Sequence, residues 1–206
     1  MLSKSFVEDS ERGVYSHRFP VLGKKSRNAD QKTEEEEAWL VGGASNVGCA
    51  ILRQEQFSNE ELIELSQNMD VMTDSPYEYY PLTKMGERFP IADGMKEPNL
   101  EPKPEQRLDY LKGILQGISS VERLGFEVLG DLGADPSFPQ VVMTCGGGSK
   151  NDAWLQMRQR LLREKKKNDD NVNANANANV NVEVKRAGNA EASFGAAFLA
   201  ASSFSN

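Results

Sequence analysis

Pro139-Gln140-Val141-Val142-Met143-Thr144-Cys145-Gly146-Gly147-Gly148-Ser149-Lys150-Asn151-Asp152 is the stretch on which the reading of this chain turns. A short apolar run of strand length, ending at Thr144, meets three consecutive glycines. A helical pattern carrying Trp154, Leu155, Met157, Leu161 and Leu162 follows. Strand, glycine turn and helix in succession form the repeating unit of an α/β fold. Glycines without Cβ let backbone come close to a flat or charged ligand, and the N–H groups that open the next helix point the same way. Asn151 or Asp152 can cap that helix. The segment is not a phosphate loop of the Gly-x-x-x-x-Gly-Lys-Ser/Thr type, because Lys150 follows Ser149 and precedes Asn151, and the second glycine pair of a dinucleotide fingerprint is missing. On these residues alone, a plain tight turn with a capping side chain is an equal reading.

Upstream, the chain turns apolar at Ala38-Trp39-Leu40-Val41 and runs through Gly42-Gly43-Ala44-Ser45-Asn46-Val47-Gly48-Cys49 into Ala50-Ile51-Leu52. This predicts a buried strand, a glycine-punctuated turn and a helix start. The alternating Val14-Tyr15-Ser16-His17-Arg18-Phe19 predicts an edge strand. Ser58 with Glu61 fits a capping box before Leu62, Ile63 and Leu65. Leu108, Leu111, Leu115 and Ile118 predict an amphipathic helix to about Arg123, with Pro104 in its first turn. Residues 73–104 are turn-rich and carry Tyr77, Tyr79, Tyr80 and Phe89 as candidate anchors. Val182 to Lys185 predicts a further strand, and Ala190, Phe194, Ala197, Phe198 and Ala201 a final small-residue helix. Two stretches are polar: residues 21–37, with the run Glu34 to Glu37, and the asparagine-alternating tract within 164–182, which predicts a disordered insertion.

The 206 residues hold 31 acidic and 24 basic side chains, a net charge of −7. That balance argues against nucleic acid or an anionic membrane as partner, since both need clustered positive charge. No apolar run approaches the ~20 residues of a membrane span, and the first residues show no secretory pattern. One histidine, His17, removes nearly every histidine-based metal site or triad. Cys49 and Cys145 read as free thiols of a reducing compartment, Cys145 as a buried and inert one. Trp39 and Trp154 read as core residues.

Several blocks, in order, resemble the C-terminal domain of the FGGY carbohydrate kinases, especially their plant and cyanobacterial xylulokinase- or ribulokinase-like members. They are Gly42-Gly43-Ala44-Ser45-Asn46, Gly86-Glu87-Arg88-Phe89-Pro90, Asp93 with Pro98-Asn99, Gly113 to Gly117, Gly146 to Asn151, and Glu191-Ala192-Ser193-Phe194-Gly195-Ala196-Ala197. The resemblance implies an α/β domain of ribonuclease H-like (actin-like ATPase) fold, a mixed sheet flanked by helices. Residues 1–37 would be a partial N-terminal segment with an acidic loop. Residues 38–203 would be the nucleotide-side domain, with a low-complexity insertion at 164–182.

The resemblance further implies that Gly146, Gly147 and Gly148 lay backbone against the adenosine of ATP, that Asn151 contacts the purine and that Gly48 borders the same pocket. Where the family often has two glycines, this chain has Gly48 then Cys49, whose extra atoms would narrow that pocket. ATP is the implied cofactor, with Mg²⁺ carried through the nucleotide. The family's catalytic base and phosphate loops are not found in this sequence, so no catalytic or metal-binding residue is named. Glu87, Asp93, Asp109 and Asp131 read as solvated charges. The expected function is the C-terminal half of an ATP-dependent pentulose-type sugar kinase, inactive alone and needing an N-terminal domain to hold sugar. The alternatives are a non-catalytic nucleotide- or partner-binding module and a truncated gene product. The expected compartment is the cytoplasm, with the plastid as the alternative.

Overall fold

The apolar spacing from Leu108 to Ile118 becomes part of the helix that the apolar clusters share. The computed structural model describes residues 1–19, 38–164 and 181–188. In chain order its elements are β1 (Leu2–Ser3), β2 (Val14–Phe19), β3 (Ala38–Gly43), α1 (Ala50–Gln54), α2 (Asn59–Gln67), α3 (Arg107–Asp131), β4 (Val141–Thr144), a 3₁₀ turn (Gly147–Lys150), α4 (Asp152–Arg163) and β5 (Glu183–Arg186). At about 1.5 Å per residue, α3 spans about 37 Å and touches three apolar clusters. Its first half packs Leu111, Ile114 and Leu115 against Ile51, Phe57 and Met157. Phe126 then meets the cluster of Val142, Leu162 and Val182. Near its end, Leu129 joins Val7, Val14, Val41 and Phe89.

Strands β1, β3 and β2 form an antiparallel sheet in that order, so β2 lies at an edge as expected. Only Val41 of β3 is buried. The apolar run therefore forms a strand covered on one face, where a fully buried one was expected, because antiparallel sheets can leave a face to solvent. Strands β4 and β5 pair in parallel, from Val141 opposite Glu183 to Thr144 opposite Arg186. A parallel pair needs a crossover, and α4 lies within it. Ser58 caps α2, its hydroxyl accepting from the Glu61 N–H at 3.1 Å. Leu62 and Leu65 lean on the main cluster while Ile63 stays exposed.

The turn-rich segment is held by its aromatic rings. Tyr79 stacks on Tyr77 at 5.6 Å and meets Tyr110 edge-on at 5.7 Å. Glycines of α3 admit it: a Cβ on Gly117 would lie 2.6 Å from the Tyr79 carbonyl oxygen, and one on Gly125 2.9 Å from the Phe89 ring. These contacts also explain why α3 continues to Asp131, beyond the expected end near Arg123. Gly125 and Gly130 look like helix breakers, but their missing side chains make room for Phe89 and for the Ser137 carbonyl. The helix starts later than Pro104 suggested, after Gln106. Arg107 fixes that first turn by pairing with Glu61 at 2.8 Å and lying 3.7 Å over the Phe57 ring.

The acidic run, most of the asparagine tract and the expected final helix lie outside the described residues. Among the described residues, no helix is long and apolar enough to cross a membrane.

Replacing Gly117 by alanine improves helix propensity by up to about 1 kcal/mol. The clash with backbone outweighs it, and net destabilisation of about 1–3 kcal/mol is expected, read as a lowered urea midpoint. Burial also raises the phenol pKa of Tyr79 and of Tyr110 from the ordinary 10.0 to about 12. The unfolded chain releases these protons first. The stability this supplies is complete below pH 10 and is lost as pH rises towards about 12. Urea midpoints across that window should fall in step with growing phenolate absorbance.

Candidate functional site

At the end of β4 the chain turns at Gly146, whose φ of +79° and ψ of −171° suit glycine and strain any other residue. The Gly146 carbonyl then accepts two bonds from Ser149, one from its N–H at 3.2 Å and one from its hydroxyl at 2.7 Å. Gly147 to Lys150 make the 3₁₀ turn, and Asn151 caps α4 by accepting from the Trp154 N–H at 3.0 Å. The Asn151 amide also donates to the Ser66 hydroxyl of α2 at 2.8 Å. Both ends of that side chain are thus engaged, leaving one lone pair and one N–H for anything else.

A cavity of about 560 Å³ opens beside this turn. Its walls include Ser45, Val47 and Cys49 after β3, Phe89 and Pro90, Ile118 and Phe126 of α3, Gly147 and Gly148 of the turn, and Trp154 and Arg158 of α4. Most of these groups are apolar, and the volume is in the range of small-molecule sites. The charged side chains on the wall, among the described residues, are Glu122 and Arg158. They bond each other at 2.5 and 2.8 Å, and Arg158 also donates to the Thr144 hydroxyl at 2.7 Å. Arg158 is only 6% exposed and already paired, and the ammonium of Met1, also in the lining, donates to the Val41 carbonyl, so among the described residues the cavity offers no loose cation to a phosphate. What it offers is a shape for an uncharged body.

Of the five residues singled out from the sequence, Gly147 and Gly148 line the cavity, while Gly146 and Asn151 bracket them in the same turn. Gly48 stands in the loop between β3 and α1, beside the lining residues Val47 and Cys49. Beyond Gly48, Gly146 and Gly147 nothing lies within 4 Å of where a Cβ would be. Gly148 differs: a Cβ there would come 2.5 Å from the Trp154 ring and 3.4 Å from the Cys49 sulfur. Two of the three glycines bare their backbone to open space, and the third seats the turn on an indole. That indole is fixed in turn, donating to the Leu115 carbonyl at 3.1 Å and the Ser119 hydroxyl at 3.0 Å.

Cys49 is one of the residues that line the cavity. Burial raises its thiol pKa, with Arg158 pulling the other way. Cys145, expected to be buried, is exposed, because the strand ends at Thr144 and the residue after it stands on the open cavity wall. Glu87 corrects the expectation in the opposite direction. It is only 2% exposed, and its carboxylate accepts from the Ser45 hydroxyl at 2.9 Å, the Asn46 N–H at 2.7 Å, the Arg88 N–H at 2.9 Å and the Tyr80 hydroxyl at 3.1 Å. It is a structural staple and no solvated charge. The motif reading missed Glu122, Arg158, Ser66 and Arg186. Arg158 had a signal: it lies on the same helix face as Trp154, Met157, Leu161 and Leu162, where a lone arginine needs a partner.

The model of the FGGY family of carbohydrate kinases, C-terminal domain, matches residues 19–204. Among solved structures, a xyloylose kinase from Brucella ovis superposes with a TM-score of 0.62 at 16% identity, over 100% of this chain and 37% of that one. A ligand-bound xylulose kinase from Lactobacillus acidophilus gives 0.65 at 16% identity, over 98% of this chain and 36% of that one. This chain spans just over a third of the length of those kinases. The likeness carries the fold, the ribonuclease H-like (actin-like ATPase) α/β architecture expected from the sequence.

Removing the carboxylate in Glu122→Ala strands a guanidinium that is itself buried. A loss of about 2–4 kcal/mol is expected, measured by urea unfolding, whereas Glu183→Ala on the exposed strand β5 should change little.

Proposed function

The chain belongs to the FGGY family of carbohydrate kinases, and from that premise we propose that it is the nucleotide-side, C-terminal half of an ATP-dependent sugar kinase. The observation that carries the reading is the bared backbone of Gly146 and Gly147 at the carboxyl end of β4, beside a largely apolar cavity whose charged side chains, among the described residues, are already paired. In open α/β sheets, ligands bind outside the carboxyl ends of the strands. A flat purine nucleoside suits such a surface, and Gly146, Gly147, Gly148, Asn151 and Gly48 are its proposed contacts. Asn151 would use the donor and acceptor its capping role leaves over. Mg²⁺ is proposed to travel on the nucleotide's phosphates, and no residue of this chain is assigned to it.

Phosphoryl transfer needs a base near the sugar hydroxyl and charge stabilisation around the phosphates. Glu87 and Glu122 are committed to structural partners, so the sugar and its catalytic base are assigned to residues beyond this stretch. The names of the two similar kinases suggest a pentulose as the sugar. On this reading, residues 38–203 form the nucleotide-side domain and the stretch alone does not turn over.

Calorimetric titration with ADP tests the pocket. Because the space beyond Gly147 is open, Gly147→Val should fold with an unchanged unfolding midpoint and lose the binding heat of the wild type. Wild-type affinity in that variant would overturn the reading. Asn151→Ala is the weaker probe, since losing the cap costs about 1 kcal/mol by itself. Turnover of ATP with D-xylulose or D-ribulose by this stretch alone would overturn the assignment of the catalytic groups elsewhere.

A further inference from the structure

A turn built on three successive glycines has many conformations open to it, so something must select one. The side chains that hold its two flanks, Trp154 behind Gly148 and Asn151 at the helix cap, leave the carbonyls of Ser149 and Lys150 to be satisfied. Both are bonded by Arg186. Its Nε donates to the Ser149 carbonyl at 2.5 Å, and its Nη2 donates to the Lys150 carbonyl at 3.2 Å and to the Asp152 carboxylate at 2.5 Å.

The sheet register explains how Arg186 comes to be there. Thr144, the last residue of β4, pairs with Arg186, and the Ala187 N–H donates to the Thr144 carbonyl at 2.9 Å. The guanidinium therefore projects from the neighbouring strand at the level where β4 ends and the glycines begin. A planar fork reaches two carbonyls and a carboxylate together; a lysine ammonium, a point charge on a flexible stem, does not match that geometry. Arg186 is half-exposed and Asp152 mostly so. The pair thus contributes little to global stability, and its effect is local to the turn.

We propose that Arg186 is a positioning residue of the glycine turn: it fixes the backbone of Gly147 to Lys150 in the shape that receives the ligand. The proposal rests on the nucleotide reading above for the identity of that ligand, and on the bonds just described for the positioning itself. It assigns to β5, the strand that follows the asparagine-rich stretch, control over the shape of a site whose other parts lie on β4, α3 and α4.

The test is amide hydrogen exchange together with ADP calorimetry on the wild type, Arg186→Ala, Arg186→Lys and a control, Lys185→Ala, which removes a comparable exposed ion pair to Glu183. In Arg186→Ala, exchange at residues 147–150 should quicken while the core of α3 is unchanged. ADP affinity should drop about tenfold, as expected when a preorganised site is loosened. Arg186→Lys should recover only part of the affinity, and the unfolding midpoint should move no more than in the control. Unchanged exchange at the turn would overturn the proposal, and so would faster exchange with wild-type affinity. Absence of ADP heat in the wild type would instead remove the nucleotide reading, and the exchange data alone would then decide whether Arg186 holds the turn.

Discussion

The close approach of α3 to the segment that precedes it is the constraint on which the other contacts depend. Gly117 brings the Tyr79 carbonyl to a distance that no side chain would permit, and Gly125 does the same for the Phe89 ring. With Tyr79 and Phe89 so placed, a long stretch with little regular structure becomes a packed layer. Phe89 in turn reaches the sheet, since a Cβ on Gly43 would stand 2.4 Å from its ring. One aromatic side chain thus sits between a helix glycine and a strand glycine, and helix and sheet are spaced by its thickness.

From that layer the walls of the cavity follow. Glu87 lies two residues before Phe89 and ties the strand-to-helix loop, through Ser45 and Asn46, to the turn that carries Phe89 and Pro90. Five donors on one buried carboxylate, the Phe89 N–H at 3.4 Å being the fifth, offset the cost of desolvating its charge. The opposite wall is α4, joined to α3 by the Trp154 indole and by the Arg158–Glu122 pair. Both walls therefore refer back to α3, and the glycine turn is suspended between them.

What could be read in the sequence was what short-range chemistry decides. The glycine turn after Thr144, the caps at Ser58 and Asn151, the edge strand at Val14–Phe19 and the strand–turn–helix unit all depend on residues within a few positions of one another. Polar residues whose meaning comes from distant partners were not legible. Glu87 meets Ser45 across 42 positions, Asn151 meets Ser66 across 85, and Arg186 meets Ser149 across 37. A carboxylate next to an arginine in a proline-rich loop carries no mark of burial. The length of α3 was hidden for a related reason: a glycine lowers helix propensity locally, while the space it leaves is filled only by the tertiary fold. The position of the candidate turn was therefore visible in advance, and its shape and the bonds that hold it were not.

The indole behind the turn has one more consequence. The chain has two tryptophans, and Trp39 sits apart on the antiparallel sheet, edge-on to Phe6 at 5.0 Å. Trp154 has its ring at the glycine turn and its N–H anchored in the core. An excited indole responds to the local electric field, so any occupant that shifts the turn alters the light this side chain emits. The protein carries its own fluorescent gauge, placed by the same packing that seats the glycines.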